Sequence, residues 1–141
     1  MKVRITRTYF FAASHRLHSP ALTDEENRLT YGKCDNPHGH GHNYEVVLTV
    51  TGEVDALTGR AADLDALDAF ARREVVAPFH HRNLNEEVPA FRTAVPTTEN
   101  LTLEVDRRLR AAWPESIGAR LETVRIRETD RNICELSEAN D

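Results

Sequence analysis

An α+β protein is predicted, with a four-stranded antiparallel sheet carrying two helices on one face in the order ββααββ. Three observations predict it. Two runs near the N-terminus, Val3 to Ala13 and Tyr44 to Gly52, are rich in β-branched and aromatic residues. Two central runs place apolar residues at helical spacing. A C-terminal run, Leu121 to Thr129, alternates residue by residue. Strands at both ends with helices between them suit a helix layer on one face of an antiparallel sheet.

The first strand rests on Val3, Ile5 and the β-branched and aromatic residues after them. Residues 14–41 hold Ser, Pro, Asn and Gly without a sustained period and read as a long loop, which in a compact domain tends to be functional. The second strand, Tyr44 to Gly52, is antiparallel to the first if the two pair. After a turn signal at Asp55 to Gly59, Leu64, Leu67, Phe70, Ala71 and Val75 recur at helical spacing, and Pro78 closes that helix. The second helix begins near Thr98, with Leu101, Val105, Leu109 and Ala112 on one face. Thr97 or Thr98 caps it, Glu99 lies in the first turn where the helix dipole favours a carboxylate, and Pro114 ends it. Val124, Ile126 and Glu128 then alternate against Arg125 and Arg127, and Ile133 to Leu136 forms a short last strand. With no repeat and no linker, residues 1–141 read as one domain.

A chain of 141 residues, 40% apolar and 29% charged, can bury one sizeable core. Its net charge of -5 argues against nucleic-acid and anionic-membrane partners. No apolar run reaches about 18 residues, and the N-terminus lacks a signal-like apolar stretch. Two cysteines, Cys34 and Cys134, are too few for a disulfide framework, so a reduced, cytoplasmic protein is expected.

Seven histidines do not fit this plain picture: five lie between His15 and His42, and two are adjacent at His80 and His81. His40 and His42 sit two apart at the start of the second strand, where alternate side chains share a face and both imidazoles can reach one metal. Gly39 and Gly41 remove side chains that would crowd that approach. His15, ending the first strand, is the best third ligand. Three imidazoles without a fourth protein ligand match an open, catalytic zinc site. His38 ranks below His15, because one short segment gives poor tetrahedral angles. The ordinary explanation of an isolated His-x-His is a surface feature; the third histidine and the glycines outweigh it here.

Cys34 lies in the same loop, and a nearby Zn²⁺ with Lys33 beside it should lower the thiol pKa. It could be a nucleophile, a general base or a fourth ligand; the last would make the site structural. Cys134 reads as a small buried hydrophobe. His80-His81 is either a proton relay or a hydrated turn. Glu128 is either an exposed strand carboxylate or, if buried, an acceptor of two hydrogen bonds from the amidine-like edge of a guanine- or pterin-type ring.

Four motifs, FAASHRL from Phe11, CDNPHGHGHNY from Cys34, TTEN from Thr97 and ETDRNI from Glu128, span nearly the whole chain. By them the chain resembles the 6-pyruvoyl-tetrahydropterin synthases and their relatives, the 6-carboxytetrahydropterin synthases of the queuosine pathway. The resemblance implies a tunnelling fold, assembled as a homohexamer (a dimer of trimers) with active sites between subunits. It implies zinc on His15, His40 and His42, and Cys34 as the proton-moving group. His81 would serve the relay with His80 beside it, and Glu128 would anchor the pterin ring with Thr98 and Glu99 nearby. The implied substrate is 7,8-dihydroneopterin triphosphate, whose phosphates need cations such as Lys33, Arg16, Arg28 or Arg82. Two positions depart from the family pattern: His80 stands where Asp is common, and His38 where Asn is common. The Cys-x5-His-x-His spacing favours pyruvoyl-forming chemistry. A 6-carboxytetrahydropterin synthase releasing acetaldehyde is the alternative, and a non-catalytic zinc protein that holds a pterin is a second.

Overall fold

A computed structural model describes residues 1–137. Strand β1 (Lys2–His15) and strand β2 (His40–Glu53) pair antiparallel along their whole length, from Lys2 opposite Glu53 to His15 opposite His40. Both extend beyond the predicted runs, so each reaches the histidine region. Alternation fixes their inner face: Tyr9, Phe11, Ala13 and His15 on β1, and Tyr44, Val46, Leu48 and Val50 on β2, are all buried.

The predicted loop contains structure. Helix α1 (Asp24–Tyr31) follows a capping box in which the Thr23 hydroxyl accepts from Glu26 N–H and the Glu26 carboxylate accepts from Thr23 N–H. The helix buries no apolar face, and Leu29 is largely exposed. It is tied instead by Asn27, fully buried, whose Nδ2 donates to the carbonyls of Ser19, Leu22 and Thr23 and whose Oδ1 accepts from Ser19 N–H. A helix held by polar contacts leaves no hydrophobic period to read, which is why it was missed.

Helix α2 (Leu64–Ala71) is capped by Asp63, whose carboxylate accepts from Ala66 N–H. Pro78 does not close it. A wide π turn over Arg72–Val76 leads into α3 (Ala77–Phe79), with Pro78 in its first turn, where a missing N–H is tolerated. The chain then makes the two-residue strand β3 (Arg82–Asn83), which pairs parallel with β1 at Ala13 and Ser14. A short helix α4 (Leu84–Glu87) and a 3₁₀ turn (Pro89–Arg92) lead to α5 (Thr98–Ala112). Thr97 caps α5 by accepting from Asn100 N–H at 3.1 Å. Leu101, Val105 and Leu109 are fully buried as expected, but Ala112 is exposed; the half-buried Trp113, donating Nε1–H to the Ala119 carbonyl, closes that end.

Strand β4 (Arg120–Thr129) pairs with β2, and β5 (Asn132–Ser137) pairs with β4. The sheet therefore has five strands, in the order β3-β1-β2-β4-β5, instead of four. The extra one is too short to carry an alternation. Buried residues from the inner sheet face, α2 and α5 form one core cluster, in which each fully buried Leu or Phe contributes about 1.5–3 kcal/mol. No helix among the described residues is long and apolar enough to cross a membrane.

Candidate active site

The β1–β2 register brings the histidines together. His40 and His42 share the inner face of β2, and His15 lies opposite His40. One ring nitrogen of each lies within 4.8 Å of the others, and His15 Nε2 is 3.0 Å from His40 Nε2. His38 is exposed and outside this group. Gly39 permits the geometry twice over: its φ is +72°, and a Cβ there would fall 2.9 Å from the His15 carbonyl oxygen. Gly41 has no such need, its Cβ position being 3.7 Å from the nearest atom. A Gly39→Ala substitution is expected to cost about 1–3 kcal/mol through the left-handed backbone alone, and to part His15 from His40. Thermal melting and bound-metal stoichiometry would both fall.

The donor set fits a metal ion. His15 donates Nδ1–H to the Pro96 carbonyl at 2.8 Å, which leaves its Nε2 unprotonated, with its lone pair directed at the cluster beside His40 Nε2. The Tyr44 hydroxyl lies 3.3 Å from the same Nδ1. His42 Nε2 is buried without a hydrogen-bond partner, the kind of orphaned polar atom a metal would satisfy. Burial pushes the pKa values of His15 and His42 down, so both imidazoles stay neutral and able to ligate.

Glu128 is not an exposed strand carboxylate: its side chain is only 12% exposed, with oxygens 3.9 Å from His15 Nε2 and 3.8 Å from His42 Nε2. Thr98, buried in the first turn of α5, donates its hydroxyl to Glu128 at 2.7 Å. Asn132 donates Nδ2–H to Thr98 Oγ1 at 3.0 Å and to Glu128 Oε1 at 3.3 Å. Glu99, also in the first turn of α5, is exposed and has no hydrogen bond or ion pair to this group among the described residues.

Cys34 sits in a 3₁₀ turn (Gly32–Asp35), half-buried, with its carbonyl accepting from Leu17 N–H at 2.8 Å. Its thiol lies within electrostatic reach of Glu128 and Tyr44. The protein's own groups do not supply the expected lowering. Burial, and then the Glu128 carboxylate, push the thiol up, and the exposed Lys33 does not offset them. Cys134 is half-buried on β5 opposite Ile126, not a core residue.

His80 and His81 are exposed, and among the described residues no hydrogen bond, ion pair or ring contact joins them to the three histidines or to Cys34, although His81 and His42 line one cavity. Their role in the fold is distinct. His80 Nδ1 accepts from Ala12 N–H at 3.1 Å on the edge of β1, and its ring stacks on His81 at 3.7 Å. His81, at φ +61°, donates its N–H to the Ala12 carbonyl at 2.7 Å. Pro96, Tyr44 and Asn132 escaped the sequence reading, although Asn132 lies inside the ETDRNI motif.

The sequence profile of the family described as 6-pyruvoyl tetrahydropterin synthase matches residues 4–139. A protein of Poecilia reticulata named 6-pyruvoyl tetrahydrobiopterin synthase is 46% identical over 129 residues, 92% of this chain and 86% of the relative. The human protein of that name is 42% identical over 132 residues, 94% of this chain and 89% of its own. The solved structure of Caenorhabditis elegans 6-pyruvoyl tetrahydropterin synthase superposes with a TM-score of 0.89 at 38% identity, covering 97% of this chain and 96% of that one.

Proposed function

This chain belongs to the 6-pyruvoyl tetrahydropterin synthase family, and from that premise we propose that it converts 7,8-dihydroneopterin triphosphate to a 6-pyruvoyl product with loss of triphosphate. The observation that carries the reading is one cluster: three imidazole nitrogens within 4.8 Å, a nearly buried carboxylate under 4 Å from two of them, and a thiol on its border. Three neutral nitrogens with no further protein ligand suit Zn²⁺ with an open coordination position. Bound there, zinc would polarise the side-chain hydroxyls of the substrate and acidify the neighbouring C–H bonds.

Glu128, oriented by Thr98 and Asn132, accepts hydrogen bonds from the pterin ring edge and so fixes where the side chain lies. Cys34 Sγ takes a proton from the side-chain carbon next to the ring and returns it to the ring carbon that bears the side chain, so that the ring C=N bond is reduced as the adjoining alcohol carbon is oxidised to a carbonyl. Cys34 would reach the thiolate where a metal ion held by the three histidines offsets burial and Glu128. The C–O bond to triphosphate breaks with its electron pair on the departing oxygen, and the enol left behind becomes the ketone.

His81 is the proton-relay partner in this reading, with His80 fixing its ring by stacking. Among the described residues no hydrogen bond or ring contact joins His81 to Cys34, and in this reading a second copy supplies the relay, in a homohexamer with active sites between subunits. Free thiols at Cys34 and Cys134 suit a cytoplasmic setting.

Mass spectrometry of the product formed by zinc-loaded protein tests the proposal. A 6-pyruvoyl product supports it. A 6-carboxy product with acetaldehyde would assign the chain to the queuosine-type reaction, and bound pterin without turnover would make it a binding protein.

A further inference from the structure

The turn that carries Cys34 has little hydrophobic anchorage. Among the described residues Asn27 is the only buried one between His15 and Tyr44, and the 3₁₀ turn Gly32–Asp35 buries none. The place of the thiol is therefore set by polar contacts more than by packing.

Those contacts come from the three consecutive residues that follow His15. Arg16 Nε–H donates to the Asp35 carbonyl at 2.9 Å, and Arg16 Nη2 lies 3.1 Å from Asp35 Oδ1. Leu17 N–H donates to the Cys34 carbonyl at 2.8 Å. His18 donates Nδ1–H to the same Asp35 Oδ1 at 2.6 Å. Arg16 is held in turn by Asn85 of α4, whose Oδ1 accepts from the Arg16 N–H at 2.8 Å and whose Nδ2 donates to the Arg16 carbonyl at 2.9 Å. The grip thus runs from α4 through Arg16 to Asp35, the residue next to Cys34. Beyond Asp35, Gly39 N–H donates to the Asn36 carbonyl at 2.9 Å and turns the chain into His40.

Asp35 is not an ordinary surface carboxylate, since its side chain is only 14% exposed. A solvated ion pair would fix little, but one sheltered oxygen shared by a guanidinium and an imidazole N–H fixes a position. We propose that Asp35, gripped by Arg16 and His18, is a positioning residue that sets where the Cys34 thiol lies relative to the histidine cluster. It acts through the backbone that Asp35 shares with Cys34. For catalysis this rests on the function proposed above.

The test compares Asp35→Ala with Asp35→Asn in the full-length, zinc-loaded protein. Both variants lose the charge, but Asn keeps an Oδ1 for His18 and Arg16, so the difference between them reports geometry. Asp35→Ala should lower kcat about 10–100-fold, the scale of a displacement of about 1 Å, with KM and bound metal unchanged. Asp35→Asn should keep most of the parental kcat. If Asp35→Ala fails to fold, His18→Leu and His18→Asn repeat the comparison, because only the Asn amide places an N–H where Nδ1–H stood. Equal kcat in the Ala and Asn variants overturns the proposal. Loss of metal in Asp35→Ala overturns it too, by making the grip a support of His15 instead. Alkylation of Cys34 after chelation needs neither metal nor turnover. Burial and Glu128 raise the thiol, so a displaced thiol in Asp35→Ala should react faster than in Asp35→Asn, about threefold for each pKa unit lost. That difference in a protein without turnover would uphold the positioning role and sink the catalytic reading. Equal alkylation in an active protein would do the reverse.

Discussion

His42→Ala is expected to abolish both metal retention and turnover while leaving the metal-free fold nearly as stable as the parent. The two effects separate because His42 is half-buried near the start of β2, is not itself a member of the core cluster, and has an Nε2 with no hydrogen bond to lose among the described residues. Removing it takes away an unsatisfied polar atom along with some packing, so the apo melting point should move little. The holo melting point should move far more. At a metal concentration about 100 times Kd, a site in the native state adds about 2.7 kcal/mol, and the variant forfeits that gain. Changes in groups that merely orient metal ligands cost about 10–100-fold in affinity, so loss of a direct ligand should exceed this. Acid gives an independent check. Burial holds His15 and His42 below the ordinary imidazole value of about 6.5, so protons displace the metal only below that range. Metal content would be followed by atomic absorption against pH. A variant that still binds one metal tightly would mean that the three histidines are not the ligand set.

The parts of this site that the sequence revealed share one property: they depend on a short, regular backbone. His40 and His42 could be placed on one face because a strand has a period of two, and His15 joined them because β1 and β2 pair as neighbours. What escaped depends on the path of irregular chain. The Pro96 carbonyl that orients His15 comes from 81 residues away, on a stretch with no pattern to read. The contact between His18 and Asp35 closes over 17 residues, across a helix whose stability rests on a capping box and a buried asparagine. The capping box itself, Thr23 with Glu26, was legible and would have found α1. His81 shows the limit in the other direction. The resemblance implies a relay role for His81, whereas its backbone is held by the Ala12 carbonyl just before β3 pairs with the edge of β1.

Replacing Cys34 with Ala should lower turnover by about 10²–10⁴-fold, the usual contribution of a positioned acid–base group, while bound metal and pterin affinity stay unchanged. That split is what distinguishes a proton-moving thiol from a fourth zinc ligand, whose loss would release metal and destabilise the fold. The metal-free protein supplies a second readout. Because burial and Glu128 raise the thiol pKa, alkylation of Cys34 should be slow at neutral pH and accelerate only above the ordinary thiol range. Glu128→Gln removes one of the two causes, so its alkylation profile should shift toward lower pH; metal loading, which adds positive charge, should shift it the same way. A profile that ignores both changes would place Cys34 outside the field of the site. If His81 reaches Cys34 from a neighbouring copy, mixing inactive Cys34→Ala and His81→Ala protomers should restore activity, up to about a quarter of the parental sites under random assembly. Mixed oligomers that stay inactive would remove His81 from the relay and leave its bond to Ala12 and its stack on His80 as its only functions.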